Sequence, residues 1–196
     1  MEKFNSQKFG YKTNYRLNGK PRDFPEYCLW KKIHNRSYNS EENYKTLSYA
    51  GCSVDAVWFD YQELARFWHT DEHRQDGWHL DKDILVKGNK IYSPDTCIFV
   101  PPRINGLFCK SLGSRGDLPI GVGKSSEGSL KPYTVKCKNA EGKTTFLGSF
   151  HDPLEGFSVY KEFKEGVIKA VSNEYKNQIS DKLYNALINY KIEITD

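Results

Sequence analysis

The sequence has no long apolar run and little apolar material overall. No stretch of about 20 consecutive apolar residues, the length that a membrane-spanning helix needs, occurs in the chain. The N-terminal residues carry charge without the apolar segment of a secretory signal. Hydrophobic residues make up 38% and the mean hydropathy is −0.72, whereas aromatic residues reach 14%. We therefore expect a soluble intracellular protein, of one domain or two small ones, with small aromatic-rich cores.

Cysteine is scarce and irregularly spaced. The five cysteines are an odd number and never form a C-x-x-C pair. A disulfide framework or a structural zinc site is therefore not expected, since both need paired or clustered cysteines. We expect buried free thiols in a reducing cytoplasm. The five residues are Cys28, Cys52, Cys97, Cys109 and Cys137.

Positive charge is in slight excess and unevenly distributed. The chain has 29 Lys and Arg against 25 Asp and Glu, for a net charge of +4. Residues 116–196 contain 11 basic and 11 acidic residues, so the whole excess lies in the first 115. This balance suits a polyanionic partner but does not by itself mark the C-terminal part as nucleic-acid-binding.

The first 37 residues predict an arm followed by a helix. Residues 1–25 are rich in Lys, Asn and Gly without apolar periodicity, which is typical of an extended arm that orders on a partner. Over residues 25–37, apolar residues recur at helical spacing and the basic residues lie on another face. That basic face, a candidate phosphate contact, carries Lys31, Lys32 and Arg36.

The middle of the chain predicts a helix, a hairpin and a second, short helix. Asp60 and Glu63 have the spacing of an N-cap and its partner, so a helix should follow Asp60. Its buried stripe would comprise Tyr61, Leu64, Ala65 and Trp68. Residues 77–94 alternate in places around a turn at 87–90, which favours a β-hairpin. A strand at 97–100 and a proline pair then lead into the short helix. His69 and His73 are expected to be ordinary surface residues.

The C-terminal part predicts three short strands and two helices. Residues 113–118 are rich in Gly and Ser and read as a linker. Strand candidates PIGVGK, KPYTVKCK and KTTFLGSF follow, separated by glycine-containing turns, of which the second is at 139–142. Asp152 and Pro153 then open a long amphipathic helix, and a last helix is predicted from Ser180 to about Tyr190. The long helix should bury Phe157, Tyr160, Phe163, Val167 and Val171.

The stretch HLDKDILVKGNKIYSPDTCIFVPPRING resembles the core of phage HNH (His-Me finger) nucleases. The upstream segments YCLWKKIHNRSYN and YAGCSVDAVWFDYQELARFW extend the resemblance. It implies a ββα module in which a strand carboxylate and a helix Asn hold one divalent metal, Mg²⁺ or Mn²⁺, while a His activates water. By position, Asp81 is the carboxylate and Asn105 the helix ligand. Such oxygen ligands suit a hard cation that neutralises charge on a phosphodiester.

The residue after Asp81 departs from this pattern, because Lys82 stands where the general-base His is expected. An ammonium group of ordinary pKa, about 10.4, does not accept a proton at neutral pH. Three alternatives remain open. His79, on the same strand face as Asp81, serves as the base; or Asp83 pairs with Asp81 to hold metal while Lys82 contacts phosphate; or Lys82 is a solvated strand residue and the module is an inactive remnant.

The segment from Leu118 to about Lys169 resembles the Apetala or ethylene-response-factor type of DNA-binding domain. IGV (120–122), YTVKCK (133–138), TFLGSF (145–150) and DPLEGFSVYKEF (152–163) carry the resemblance. It implies a three-stranded sheet whose free face lies in the major groove. The corresponding contact residues are Lys124, Lys136, Lys138 and Thr144. Lysine lacks the bidentate fork with which arginine reads guanine, so contacts to the DNA backbone should dominate over base recognition.

Taken together, these features predict an α+β protein with an arm (1–25), an HNH-like ββα module (26–112), the linker (113–118) and an Apetala-like domain (119–196). The expected activity is metal-dependent cleavage or nicking of double-stranded DNA, in the cytoplasm of a phage-infected bacterium. Candidate catalytic residues are His79, Asp81, Lys82, Asp83 and Asn105, with Arg103 as an additional DNA contact. The alternative is a catalytically inactive protein that binds DNA or blocks a host protein.

Overall fold

A computed structural model describes residues 9–39, 49–108 and 116–196. The chain is a mixed α and β protein that divides into two compact units, unit 1 (Met1–Val100) and unit 2 (Pro101–Asp196). Unit 1 contains, in chain order, β1 (Asn14–Leu17), β2 (Lys20–Asp23), α1 (Pro25–Tyr38), β3 (Ser53–Val54), a 3-10 helix (Ala56–Phe59), α2 (Tyr61–Thr70), β4 (His79–Asp81), β5 (Ile91–Tyr92) and β6 (Ile98–Val100). Unit 2 contains α3 (Pro102–Gly106), β7 (Val122–Lys124), β8 (Tyr133–Lys138), β9 (Thr144–Phe150), α4 (Pro153–Glu174) and α5 (Asp181–Ile188).

Some sequence-based expectations fall outside the described residues. These are residues 1–8 of the predicted arm, Cys109, and residues 113–115 of the predicted linker. In the described ranges no helix is both long enough and apolar enough to cross a bilayer.

The N-terminal segment is a β-hairpin rather than an irregular arm. Strands β1 and β2 pair antiparallel, with Tyr15 opposite Arg22 and Leu17 opposite Lys20. The two-residue turn between them has positive φ at both positions, 50° at Asn18 and 75° at Gly19. Asn-Gly is the pair that such a tight turn favours, because neither residue strongly resists the left-handed region. The prediction of an extended arm was therefore wrong for this segment.

Helices α1 and α2 and the 3-10 helix surround the core of unit 1. The side chain of Asp60 accepts a hydrogen bond from the backbone N–H of Gln62 (2.9 Å), so α2 begins at the predicted N-cap. Of its predicted buried stripe, Trp68 alone is only partly buried. The indole N–H of Trp30 on α1 donates to the carbonyl of Trp58 (2.8 Å). The buried cluster consists of Ile33, Cys52, Val54, Trp58, Leu64, Tyr92 and Cys97.

The predicted hairpin over residues 77–94 does not form as a pair of neighbouring strands. Strand β4 pairs antiparallel with β6, and β5 pairs parallel with β3. The turn at 87–90 is nevertheless present, since the Asn89 amide donates to the carbonyls of Lys82 and Ile91, both at 2.7 Å. The chain therefore turns where expected, but the strands on the two sides of the turn pair with different strands, β4 with β6 and β5 with β3.

Unit 2 is a three-stranded antiparallel sheet, in the order β7-β8-β9, packed on α4. This element of the predicted fold is confirmed. Asp152 caps α4 by accepting the N–H of Leu154 (2.9 Å), and α5 buries Leu183 and Leu187. Of the five residues that α4 was predicted to bury, three are buried, and Phe157 and Phe163 are only partly buried. The helix also buries Ile168 and Ser172, which were not predicted.

Two glycines allow the sheet to approach α4 closely. A Cβ on Gly121, whose φ is 80°, would lie 2.0 Å from the ring of Tyr160. A Cβ on Gly156 would lie 3.0 Å from a methyl group of Val135. The inner face of the sheet is therefore fixed against the helix, and the opposite face is left uncovered by α4.

Candidate functional site

Strand β4 presents His79 and Asp81 on one of its faces. Opposite these residues on β6 lie Val100 and Ile98 respectively, while Leu80 lies opposite Phe99. Because side chains alternate along a strand, Leu80 points to the other face, where it packs against the hydrophobic cluster. His79 and Asp81 thus share a face one pleat apart, and His79 is exposed.

The carboxylate of Asp81 is engaged by its own backbone. Its Oδ1 accepts the N–H groups of Asp83 (2.9 Å) and Ile84 (2.7 Å), closing a turn directly after the strand. Burial raises the pKa of Asp81 to about 6, and the neighbouring charge of Asp83 acts in the same direction, while the two N–H groups oppose the shift. Asp81 therefore gains or loses its proton close to neutral pH.

Lys82 and Asp83 do not occupy the strand positions that the alternation assigned to them. Strand β4 ends at Asp81, so Asp83 is not placed on the Asp81 face by the pleat. Lys82 is only 7% exposed, and its Nζ lies 3.4 Å from the carboxylate of Asp83. The expectation of a solvated strand lysine is wrong. Lys82 is instead a buried residue whose ammonium group faces a carboxylate.

Asn105, the second predicted metal ligand, lies in α3. Its backbone N–H donates to the carbonyl of Pro101 (3.0 Å), and both residues belong to unit 2, whereas Asp81 belongs to unit 1. Over residues 9–39, 49–108 and 116–196, no group of three or more His, Cys, Asp or Glu side chains converges to hold a metal ion. Hard cations take six or more oxygen ligands. Mg²⁺ usually takes one or two of these ligands from protein carboxylates and the rest from water and substrate phosphate.

Two other histidines, His69 and His34, have side-chain contacts within unit 1. Nε2 of His69 lies 3.1 Å from Glu26 Oε1, and its ring stacks on Tyr11. His73 lies beyond the end of α2, so His69 and His73 do not form a pair on one helix face. His34 approaches the carbonyl of Trp58 (3.1 Å), and burial lowers the pKa of its ring.

The basic residues of α1 are largely engaged within unit 1. Lys31 forms an ion pair with Asp23 of β2, and the guanidinium of Arg36 lies 4.5 Å from the ring centre of Tyr49. Lys32 is exposed. Of the three predicted phosphate contacts on this helix, Lys32 therefore has the exposed position that a phosphate contact requires.

Arg103 is bound within unit 2. Its guanidinium donates to both carboxylate oxygens of Glu174, at 2.5 and 3.0 Å, and to the carbonyl of Ala140 at 2.7 Å. These bonds join α3, the end of α4 and the turn before β9. A planar guanidinium with three such acceptors is a structural connector, so its assignment as a DNA contact is not supported by its position.

The sheet of unit 2 brings four polar or basic side chains and one aromatic ring to a common surface. Directly paired residues point to the same face of a sheet, and the register places Lys136 opposite Phe146 and Lys138 opposite Thr144. The alternate residues Val135 and Cys137 are buried against α4. We call the surface formed by Thr134, Lys136, Lys138, Thr144 and Phe146 the outer sheet face.

Lys124 does not belong to this surface. It lies opposite Tyr133, and Val122 lies opposite Val135, so the register assigns Lys124 to the side that faces α4. Lys124 is exposed at the strand end. Three of the four predicted sheet contacts, Lys136, Lys138 and Thr144, are thus brought together and Lys124 is not.

Two features of the outer sheet face escaped the sequence analysis. Phe146, 59% exposed, lies beside Lys136 and was not among the predicted contacts. Leu147 is the extra residue of a bulge, since Val135 pairs with Gly148 while Lys136 pairs with Phe146. The alternation of YTVKCK reveals the lysine face, but the phase of β9 depends on this bulge, which Gly148 allows through its φ of 145°.

The cysteines give a mixed result. Cys52, Cys97 and Cys137 are buried free thiols, as expected, whereas Cys28 is exposed. Burial raises the pKa of Cys97 to about 12, so this thiol, near Asp81, stays protonated at neutral pH and is a poor nucleophile.

The chain matches no protein-family model, no curated protein and no solved structure. The HNH-like and Apetala-like resemblances therefore remain predictions.

Proposed function

We propose that this protein binds double-stranded DNA through the outer sheet face. The observation that carries the proposal is the placement of Lys136 and Lys138 on the one face of the sheet that α4 leaves uncovered. A sheet with one face packed on a helix presents the other as a slightly twisted surface, which can lie in a DNA groove.

The chemistry of this surface favours contacts to the sugar-phosphate backbone. Lysine acts as a point charge towards phosphate, and the hydroxyl of Thr144, opposite Lys138, is a further donor to phosphate oxygen. Phe146 adds an exposed apolar ring, of the kind that contacts thymine methyl groups in the major groove. We expect strong dependence of the affinity on salt and weak dependence on sequence.

The double variant Lys136→Gln/Lys138→Gln tests this proposal. Both residues are exposed, so the sheet should fold normally, and binding to a short labelled duplex should weaken about tenfold or more at low salt. The matched control is Lys169→Gln/Lys182→Gln, which removes the same charge from exposed positions on α4 and α5. Equal affinities of the two variants would refute binding through the outer sheet face.

A second candidate function is cleavage of DNA by a metal-dependent endonuclease. The observation that favours it is the shared face of His79 and Asp81, together with the raised pKa of Asp81. Proton transfer at neutral pH needs a group whose pKa lies near the working pH, and Asp81, with its pKa raised to about 6, meets that condition.

Plasmid nicking in Mg²⁺ or Mn²⁺ tests the second candidate. Asp81→Asn keeps an oxygen that can accept both backbone N–H groups, so the turn should persist while the ionisable group is lost. If the chain is a nuclease, this variant should nick about a hundredfold more slowly or worse. Asp76→Asn, at a fully exposed side chain, is the control. Absence of nicking by the unmodified chain, or equal nicking by all three proteins, would contradict the endonuclease.

A further inference from the structure

The hairpin β1–β2 projects from unit 1 with every residue of both strands exposed. Four basic residues occur between Phe9 and Phe24 against one acidic residue, Asp23, whose carboxylate is paired with Lys31 of α1. The basic residues Lys12, Arg16, Lys20 and Arg22 are all exposed. The ribbon is therefore a strongly cationic projection.

The base of this ribbon is held firmly by α2. Gln62 is 0% exposed, and its side-chain amide bonds the backbone on both sides, donating to the Tyr11 carbonyl (2.8 Å) and accepting the Tyr11 N–H (3.0 Å). The hydroxyl of Tyr61 donates to the carbonyl of Lys12 (2.8 Å). An isolated two-stranded ribbon is only marginally stable. These hydrogen bonds stabilise it by fixing the backbone just before β1 against α2. A preorganised element loses less conformational entropy when it binds.

The cations lie on both faces of the ribbon. The register places Lys20 and Arg22 on one face, opposite Leu17 and Tyr15. Arg16 lies on the other face, opposite Pro21. Four residues per strand span about 13 Å, comparable with the width of about 12 Å of the B-DNA major groove, which admits a two-stranded ribbon. A ribbon inserted into a groove meets phosphates on both sides, which this distribution of charge fits.

The ribbon is poorly suited to the alternative of adding a strand from another protein. Strand β2 contains Pro21, which has no N–H to donate to an added strand. Lys20 and Arg22 flank it, and charged side chains on an edge oppose strand addition. The chemistry of the ribbon thus favours a polyanion over an extended peptide.

We infer that the hairpin β1–β2 is a second DNA-binding element, which enters a groove of the duplex and neutralises phosphates with Arg16, Lys20 and Arg22. The inference rests on the proposed function, because it assigns a further contact to the same double-stranded DNA. It requires no particular placement of unit 1 relative to unit 2.

The triple variant Arg16→Gln/Lys20→Gln/Arg22→Gln tests the inference in the full chain. Binding of a labelled duplex is measured by fluorescence anisotropy at several salt concentrations between about 50 and about 200 mM. The variant should bind about tenfold or more weakly, and the slope of log affinity against log salt should become shallower by about 2 to 3, close to one per charge removed. The control Lys169→Gln/Lys176→Gln/Lys182→Gln removes the same charge from other exposed positions and should retain the slope.

A second variant separates the shape of the ribbon from its charge. Gly19→Val keeps every charge but places a β-branched residue at a φ of 75°, which strains the turn. Reduced affinity of Gly19→Val supports the ribbon geometry, whereas affinity equal to that of the unmodified chain would overturn it. Circular dichroism and thermal unfolding establish that each variant is folded.

The outcomes separate this inference from the proposed function. If the triple variant binds DNA with the affinity and slope of the unmodified chain, the hairpin is not a DNA contact and a protein partner becomes its better assignment. If the triple variant is weakened and Lys136→Gln/Lys138→Gln is not, the hairpin inference stands and the outer sheet face fails. If the unmodified chain binds no duplex, both fail.

Discussion

At the scale of single residues, Asp81 combines a structural and a chemical property. Its side chain closes the turn after β4 by accepting two backbone N–H groups, a common use of aspartate at the end of an element. Partial burial of the same carboxylate makes its charged form less favourable. The residue that the HNH-like pattern singled out is therefore constrained by local structure, whatever its chemical role.

The pKa of Asp81 predicts a specific pH dependence of stability. Its ordinary value is 3.8 and its value in the folded chain is about 6, so between these pH values the unfolded chain ionises while the folded chain keeps the proton. Stability should therefore fall as pH rises from about 4 to about 6, by up to about 3 kcal/mol, and this contribution should then stay constant. Asp81→Asn cannot titrate, so its free energy of unfolding should exceed that of the unmodified chain above pH 6 and match it near pH 4.

Urea unfolding at a series of pH values measures this difference. Asp76→Asn serves as the control, because the exposed Asp76 carboxylate should shift the curve little. Parallel stability curves for Asp81→Asn and the unmodified chain would show that the Asp81 carboxylate is not shifted in the fold.

At the scale of elements, local signals predicted the helices well. The N-caps Asp60 and Asp152 and the apolar spacing behind them fix where α2 and α4 begin, because both features act within a few residues. The strands of unit 2 were likewise marked by alternation and glycine turns. The predicted lysine face of β8 follows from the same alternation, which is why the core of the candidate site was visible in the sequence.

Pairing between distant segments was not predictable in this way. Strands β3 and β5 contain two residues each and pair in parallel across more than thirty residues of chain, a contact that no local pattern encodes. The alternation in residues 77–94 instead suggested that neighbouring strands would pair with each other. At the N-terminus a local signal was present, because Asn18-Gly19 is the residue pair that a two-residue hairpin turn favours.

The close packing of the sheet on α4 predicts that Gly121 tolerates no side chain. Gly121→Ala requires a residue with Cβ at φ 80° and moves the buried ring of Tyr160, which together should destabilise unit 2 by about 3 kcal/mol. Gly128 has a similar φ of 81° but open space around it, so Gly128→Ala should cost about 1 kcal/mol. Chemical denaturation followed by circular dichroism measures both, and equal losses would contradict the packing argument.

At the scale of the whole molecule, charge is divided between two kinds of surface. Residues 116–196 contain equal numbers of basic and acidic residues, 11 of each, yet the sheet that they form collects Lys136 and Lys138 on one face. The cationic hairpin lies in unit 1, where residues 1–100 together contain 15 basic and 14 acidic residues. Composition predicted the hairpin only as an arm and gave no indication of the outer sheet face. A positively charged surface can form within a segment of zero net charge when the fold places its basic and acidic residues on different faces.

The unit boundary also differs from the one drawn from the sequence. The chain divides after Val100, directly before the proline pair, and not at the Gly- and Ser-containing segment near residue 116. As a result, Asn105 belongs to the unit that contains the sheet, although the HNH-like pattern grouped it with Asp81. Composition marks where a linker is expected, but the packing of a short helix decides the unit to which it belongs.

The salt dependence of duplex binding tests the central claim most directly. Affinities of the unmodified chain and of Lys136→Gln/Lys138→Gln for a short duplex would be compared between about 50 and about 200 mM salt. Binding through the outer sheet face predicts a steep decrease in affinity with salt for the unmodified chain, and a slope shallower by about 2 in the variant. An unchanged slope in the variant, or no measurable binding of duplex by the unmodified chain at the lowest salt, would contradict the account.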